Sequence, residues 1–187
     1  MLTLNFNPFP EIQTDRLFLR RITADDAADV FVLRADERVM QYINRPLAKT
    51  IEDANALLEK INTNIDNNDA INWGITLKGE NKVIGMISFH RIEKENYRGE
   101  IGYLLHADYH RKGIMQEAIS AVIHFGFYQL NFHSIEAIIN PDNIASRQIL
   151  EKNGFIREGF YKENYFWEGN FLDTGVYSLL TPIRSTN

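Results

Sequence analysis

The sequence predicts an α/β protein in which helices flank a mixed, mainly antiparallel β-sheet. Two stretches, residues 100–118 and 134–155, each place a short apolar strand before an amphipathic helix. Hairpin-like patterns precede and follow these stretches, over residues 73–89 and 155–180. Strands that alternate with helices are typical of α/β sheets, and hairpins add antiparallel strands to such a sheet.

The first part of the chain is predicted to form a strand and then two helices. The strand, over residues 17–21, alternates Leu and Arg and ends before Asp25, which is expected to cap the first helix. This helix should run to about Val39, and a second helix should span about residues 52–65. The segment between the helices contains Pro46 and is predicted to be a loop.

The main functional signal is the stretch EIGYLLHADYHRKGIMQEA, residues 100–118. A short strand leads into a turn with Arg111, Lys112 and Gly113, and a helix should follow over about residues 115–130. The first amides of a helix lack intrahelical partners, and the helix dipole favours an anion there. Gly113 lets the backbone approach phosphate oxygens, and the two cations add positive charge. The turn therefore suits a pyrophosphate, although taken alone it fits an ordinary strand-to-helix turn equally well.

A second strand and helix follow this stretch. Residues 134–139 are rich in β-forming side chains, and Pro141 ends the strand. Asn143 is predicted to cap the next helix, and Gly154 to end it. Turn residues at positions 168–170 then divide the last third of the chain into a closing hairpin.

The order of these motifs resembles the acetyl-CoA-binding core of the GCN5-related N-acetyltransferases (GNAT). The segments YHRKGIMQEA (109–118) and NIASRQILEKNGF (143–155) carry most of the resemblance. The segments IQTDRLFLRRITADD (12–26) and WGITLKGENKVIGMISF (73–89) are similar to the family's opening strand and hairpin. The resemblance covers roughly residues 13–180 and is strongest to the branch of ribosomal-protein N-terminal (serine/alanine) acetyltransferases.

The resemblance implies a single N-acetyltransferase domain over residues 1–187, with a core of about 13–180 and the GNAT acyl-CoA N-acyltransferase fold of seven strands. It implies transfer of an acetyl group from acetyl-CoA to a primary amine by direct attack in a ternary complex. The acceptor that it favours is a protein N-terminal α-amino group, possibly of a ribosomal protein. Two alternatives remain open: an acetyltransferase for a small amine such as an amino acid, polyamine or antibiotic, and a catalytically weak acetyl-CoA-binding module.

The resemblance also implies which residues bind the cofactor. They are Leu105, Arg111, Lys112, Gly113, Ile114, Met115, Gln116, Asn143 and Ser146. The strand backbone around Leu105 should hydrogen-bond the pantetheine arm as an added strand, and Asn143 should reach the pantetheine amides. The family has Gly or Ala where this chain has Met115, so the Met115 side chain should point away from the phosphates. His110 replaces the Gln or Arg that usually opens the loop.

Three residues are candidates for catalysis. Glu100 matches the glutamate base of histone acetyltransferases, and the alternative interpretation is a solvent-facing carboxylate at a strand end. Ser146 matches a serine proposed to protonate the leaving thiolate in some relatives, and the alternative is a residue that only caps the helix start. Tyr165 in the closing hairpin competes with Ser146 as the acid. The tyrosine that serves many relatives as the acid is replaced by Leu150.

Composition excludes several other classes of protein. The chain has no cysteine, which rules out disulfides, a cysteine nucleophile and thiolate metal sites. Its five histidines show no metal-ligand spacing with carboxylates, so no metal is expected. A net charge of −5 argues against direct nucleic-acid binding.

The sequence gives fewer indications of the protein's cellular location and oligomeric state. No segment of the sequence is apolar for the length that a bilayer requires, so a cytoplasmic location without membrane attachment is expected. The protein is expected to be a monomer or a homodimer. The aromatic cluster over residues 160–171 either lines an acceptor pocket or packs the sheet against helices.

Overall fold

The computed structural model describes residues 1–183 and has one mixed eight-stranded sheet with helices packed on it. The strands are β1 (Ile12–Gln13), β2 (Leu17–Arg20), β3 (Ile71–Leu77), β4 (Gly85–Glu93), β5 (Arg98–Leu105), β6 (Ser134–Ile139), β7 (Ile156–Trp167) and β8 (Asn170–Leu180). The α-helices are α1 (Ala27–Ala35), α2 (Glu37–Met40), α3 (Ile51–Asp66), α4 (Ile114–Tyr128) and α5 (Ile144–Lys152). One-turn 3₁₀ helices, Ala24–Asp26 and Ala107–Tyr109, precede α1 and the turn into α4. The predicted fold class is confirmed, and the strand beyond the expected seven is the two-residue β1.

The sheet has the strand order β1-β2-β3-β4-β5-β6-β8-β7, and one of its seven strand pairs is parallel. That pair, β5 with β6, is joined at three positions, from Arg98 opposite Ser134 to Glu100 opposite Glu136. β5 continues to pair with β4 as far as Leu105, but within the described residues it has no further partner on the β6 side. A wedge therefore opens between β5 and β6 after Glu100, and residues 101–105 form its β5 wall.

Apolar side chains fill both sides of the sheet. α4 buries one face, including Met115, Ile119 and Val122, in the larger core cluster with Trp73 and Phe89. A smaller cluster lies beneath α1 and α3 and includes Met86 of β4. Because α4 packs against the larger core cluster, its first turn is held beside the wedge.

The start of the helical region differs from the sequence prediction in two ways. The Asp26 carboxylate, and not that of Asp25, accepts the Thr23 N–H at 2.7 Å and pairs with Arg20. The predicted continuous helix to Val39 is also wrong, because Asp36 has an extended backbone and breaks it. The Asp36 side chain instead caps the short α2. In both places an Asp side chain accepts a backbone N–H at a helix start, that of Thr23 for Asp26 and that of Arg38 for Asp36.

Candidate active site

The basic turn, residues 110–113, joins the 3₁₀ helix after β5 to α4. Gly113 caps α4 with a φ of +74°, and Arg111 has a φ of +59°. Left-handed backbone at Gly113 costs little because glycine lacks a Cβ. The turn delivers the free amides of residues 114–116 at the start of a fifteen-residue helix, where the dipole favours an anion.

An ion pair between distant parts of the chain supports the basic turn. Arg16 Nη1 donates to the Lys112 carbonyl at 2.9 Å, and Arg16 Nε donates to Glu117 at 2.6 Å. Glu117 also accepts the Thr14 hydroxyl. Burial alone would raise the pKa of Glu117, but hydrogen bonds from Thr14 and Arg16 outweigh it and hold that pKa below its usual value. Sequence reasoning missed this pair because its members lie 101 positions apart.

His110 holds the basic turn to the end of β5. Its Nε2 lies 2.9 Å from the Leu105 carbonyl oxygen, so that oxygen already has a partner. The β5 backbone groups that lack a partner on the β6 side are therefore those of residues 101–104, just before the position that the sequence indicated. Met115 is 9% exposed and belongs to the core, so its side chain points away from the turn as expected.

A cavity of about 750 Å³, here called the cofactor cavity, runs from the wedge to the basic turn. Eight of the nine predicted cofactor residues line it: Leu105, Arg111, Gly113, Ile114, Met115, Gln116, Asn143 and Ser146. The ninth, Lys112, lies with its ammonium 5.3 Å from the centre of the Tyr109 ring. The Gln116 Oε1 atom is buried and has no hydrogen-bond partner within the described residues. The glycine-lined turn and its free helix amides fit a phosphate-bearing ligand.

The start of α5 forms the opposite wall of the cofactor cavity. The Asn143 side chain accepts the Ser146 N–H at 3.0 Å, which confirms Asn143 as the helix cap. Ser146 is buried, and its Oγ lies 2.8 Å from the Tyr103 hydroxyl. Burial raises the pKa of Tyr103 to about 12. Sequence reasoning missed Tyr103, since an aromatic residue on the same strand face as Ile101 and Leu105 resembles an ordinary core residue.

Glu100 is buried, so the interpretation as a solvent-facing carboxylate is wrong. Its Oε1 lies 3.2 Å from His90 Nε2, and its Oε2 lies 3.0 Å from Arg91 Nη1. The Oε2 atom nevertheless has no hydrogen bond of acceptable geometry within the described residues. A Cβ on Gly102 would lie 2.9 Å from the His90 ring, so this glycine leaves the room that His90 occupies. Glu100 lines neither the cofactor cavity nor the second cavity described next.

A second cavity of about 500 Å³, here called the outer cavity, adjoins the first. It lies between the loop around Pro46 and the tip of the β7–β8 hairpin, and its walls include Glu37, Arg45, Trp167 and Glu168. Both cavities share three lining residues: Gln41, Tyr42 and Ile43.

The aromatic cluster of the closing hairpin divides between this cavity and the surface. Trp167 lines the outer cavity, whereas Phe166 and Phe171 contact each other with both rings largely exposed. Tyr165 is half-buried on β7 and lines neither cavity. Of the two candidate acids, Ser146 alone faces the cofactor cavity.

Comparison with known proteins decides the family. Residues 16–156, most of the chain, match the family model described as the acetyltransferase (GNAT) domain. The chain belongs to the GNAT family. It is 34% identical over 174 residues to the uncharacterized N-acetyltransferase YoaA of Bacillus subtilis, covering 93% of this chain and 98% of that protein.

Two further relatives extend the comparison. A solved GNAT-family acetyltransferase from Bacillus anthracis matches with a TM-score of 0.82 and 30% identity, covering 91% of this chain and 98% of that one. The Escherichia coli [ribosomal protein uS5]-alanine N-acetyltransferase is 26% identical over 183 residues, covering 94% and 93% of the two chains. The predictions of an acetyl-CoA-dependent N-acetyltransferase and of acetyl-CoA as its donor are confirmed.

Within residues 1–183, no group of three or more His, Asp or Glu side chains is placed to hold a metal ion. In the same part of the chain, every helix is too short or too polar to cross a membrane.

Proposed function

We propose that this GNAT enzyme acetylates the α-amino group of a protein N-terminus, with ribosomal proteins as the first candidates. The observation that carries the proposal is the outer cavity, which joins the cofactor cavity and has two carboxylates, Glu37 and Glu168, against one cation, Arg45, in its wall. Carboxylates attract an ammonium group, which is how a peptide N-terminus arrives at neutral pH. The full-length similarity to the uS5-alanine N-acetyltransferase supports the same class of acceptor.

The cofactor cavity is proposed to bind acetyl-CoA along its length. The free amides of residues 114–116 hold the pyrophosphate, with Arg111 beside them. The β5 backbone at residues 101–104 pairs with the pantetheine arm, and the Asn143 carboxamide N–H groups reach a pantetheine carbonyl. This arrangement would bring the thioester to the wedge, near Ser146.

Glu100 is the proposed general base. An ammonium has no lone pair for attack, so the arriving amine must first lose a proton, and a positioned base contributes on the order of 10²–10⁴ to the rate. Because Glu100 lies outside both cavities, the proton is proposed to travel to its carboxylate through a water molecule. His90, whose side chain is 48% exposed, offers a route onward to solvent.

The proposal is tested by incubating the enzyme and acetyl-CoA with two panels, one of peptides carrying different N-termini and one of free amines, and measuring mass. We expect a gain of one acetyl group on peptide α-amines, with ribosomal-protein N-termini as the best acceptors. Acetylation of the free amines alone would refute the proposal in favour of a small-molecule enzyme. Binding of acetyl-CoA without any product would favour the weak-module alternative.

A pair of variants tests the outer cavity directly. Removing both charges with Glu37→Gln and Glu168→Gln should raise the KM for a peptide several-fold and leave the KM for acetyl-CoA unchanged. The matched control is Glu158→Gln, an exposed carboxylate on β7 that lines neither cavity. An unchanged peptide KM in the double variant would exclude these carboxylates from acceptor binding.

A further inference from the structure

Tyr103 is a polar residue of the cofactor cavity that has no part in the mechanism proposed above. It lies on β5 three residues beyond the last β5–β6 pair, and strand alternation puts it on the face opposite Glu100. Its hydroxyl lies 2.8 Å from Ser146 Oγ on α5. Tyr103 and Ser146 both line the cavity, so their hydrogen bond crosses the wedge into which the thioester is proposed to extend.

The chemistry of the two hydroxyls sets the direction of this bond. Either hydroxyl could donate in this geometry, and the phenol, as the stronger hydrogen-bond donor, is favoured as the donor to Ser146 Oγ. Because burial raises its pKa to about 12, the Tyr103 phenol keeps its proton throughout the neutral range. The hydrogen of Ser146 is then free to turn toward a third atom in the cavity, while Asn143 fixes the serine backbone.

We propose that Tyr103 is a positioning residue that holds the Ser146 hydroxyl so that its hydrogen points at the sulfur of the departing coenzyme A. The inference rests on Ser146 as the candidate that donates to the leaving thiolate, and it is independent of the identity of the acceptor. Leu150, which stands where many relatives carry a tyrosine, is fully buried in the core. Tyr103 thus brings an aromatic hydroxyl to this region from a neighbouring strand.

Both hydroxyls, of Tyr103 and of Ser146, keep their protons while coenzyme A departs. When the tetrahedral intermediate collapses, the C–S bond breaks, its electron pair passes to sulfur, and the carbonyl re-forms. The thiolate accepts a hydrogen bond from Ser146, and water protonates it after release. Full transfer from Tyr103 is disfavoured, because a phenol with a pKa of about 12 is a weaker acid than a thiol with a pKa of about 8.5.

The experiment measures how strongly the protein stabilises the thiolate of bound coenzyme A, and it needs no acceptor. Coenzyme A is held by excess enzyme and alkylated with iodoacetamide at pH 7, and the alkylated cofactor is quantified by mass. The chain has no cysteine, so the cofactor carries the only thiol in the sample. Other titratable or cationic residues of the cavity are the same in every variant: Arg38, Tyr42, Tyr109, His110, Arg111 and Lys152.

The variants separate the two hydroxyls. A hydrogen bond to the thiolate lowers the pKa of the bound thiol, so Ser146→Ala should slow alkylation about tenfold at pH 7. Tyr103→Phe, which keeps the ring, should slow it about threefold, and the double variant should match Ser146→Ala. Tyr128→Phe, an exposed tyrosine outside the cavity, is the control and should leave the rate unchanged.

Three outcomes would overturn the inference: a parental rate in Tyr103→Phe, a double variant clearly slower than Ser146→Ala, or parental rates throughout. Calorimetric titration with coenzyme A checks whether each variant still binds the cofactor. A variant with a folding defect is recognised in this way. Ser146→Thr gives a second test without touching Tyr103, because it retains a hydroxyl and should keep a near-parental rate. Failure of the peptide assay would refute the acceptor proposal and leave these rates unaffected.

Discussion

Replacement of Gly113 by valine tests the basic turn most directly. The residue has a φ of +74°, and left-handed backbone costs a residue with a Cβ about 1–2 kcal/mol, with β-branched residues the least tolerant. A Cβ at this position would also lie 3.3 Å from Arg16 Nη2, in the guanidinium that bonds the Lys112 carbonyl. The substitution therefore strains the turn and disturbs its support at the same time.

The expected loss of coenzyme A affinity depends on which state, free or bound, carries the backbone strain. In the free protein the altered turn relaxes, and coenzyme A must restore the binding conformation at a cost of about 1–2 kcal/mol. That cost alone weakens binding about 5- to 30-fold, and displacement of Arg16 adds to it. We expect Gly113→Val to raise the Kd for coenzyme A by more than tenfold in calorimetric titration.

Gly79 provides the matched control. It has a φ of +81° and nothing within 4 Å of an added Cβ, and it lies outside both cavities. Gly79→Val should therefore introduce the same backbone strain away from the site and leave coenzyme A binding unchanged. If Gly113→Val binds coenzyme A with parental affinity, the assignment of the basic turn as the pyrophosphate site is wrong.

Three more predictions concern the site. Glu100→Gln should lower turnover on the order of 10²-fold near neutral pH, less at higher pH where the amine is already neutral, and parental rates at every pH would exclude Glu100 as the base. Steady-state assays should show slower turnover in Ser146→Ala and parental turnover in Tyr165→Phe, and the reverse ranking would transfer the role to Tyr165. Glu117→Gln should lower the melting temperature and weaken coenzyme A binding a few-fold, since the turn loses the anchor of Arg16. Because the pKa of Glu117 is lowered, its contribution to stability is present above its unfolded-state pKa and is lost as pH falls from there through the folded-state pKa. Thermal melts of parent and variant should therefore converge in acid, and a constant gap would contradict this.

Local sequence patterns correctly predicted the strand and helix boundaries around the cofactor cavity. Residues 134–139 form β6 as predicted, Asn143 caps α5, and Gly154 follows the helix with a φ of +86°. In each case the deciding interaction lies within a few residues of sequence. Asp25 shows where local rules failed: Thr23 caps the first helical turn, and the carboxylate of Asp26, not that of Asp25, accepts the Thr23 N–H and pairs with Arg20.

Contacts between distant segments could not be predicted from the sequence. The pairing of Glu100 with Arg91 depends on the β4–β5 register and on a bulge between Phe89 and Arg91. The bond between Tyr103 and Ser146 depends on how far β6 and α5 diverge from β5, which neither segment encodes by itself. The family resemblance named Ser146 but gave no indication of its partner.

The wedge between β5 and β6 also has a consequence for backbone dynamics. Along residues 101–104, the backbone groups on the β6 side have no strand to pair with among the described residues. In the free enzyme the amides on that side are open to water, so their protons should exchange with deuterium far faster than those directed at β4. A pantetheine arm bound as proposed would take the place of the missing strand, and exchange at residues 101–104 should then slow.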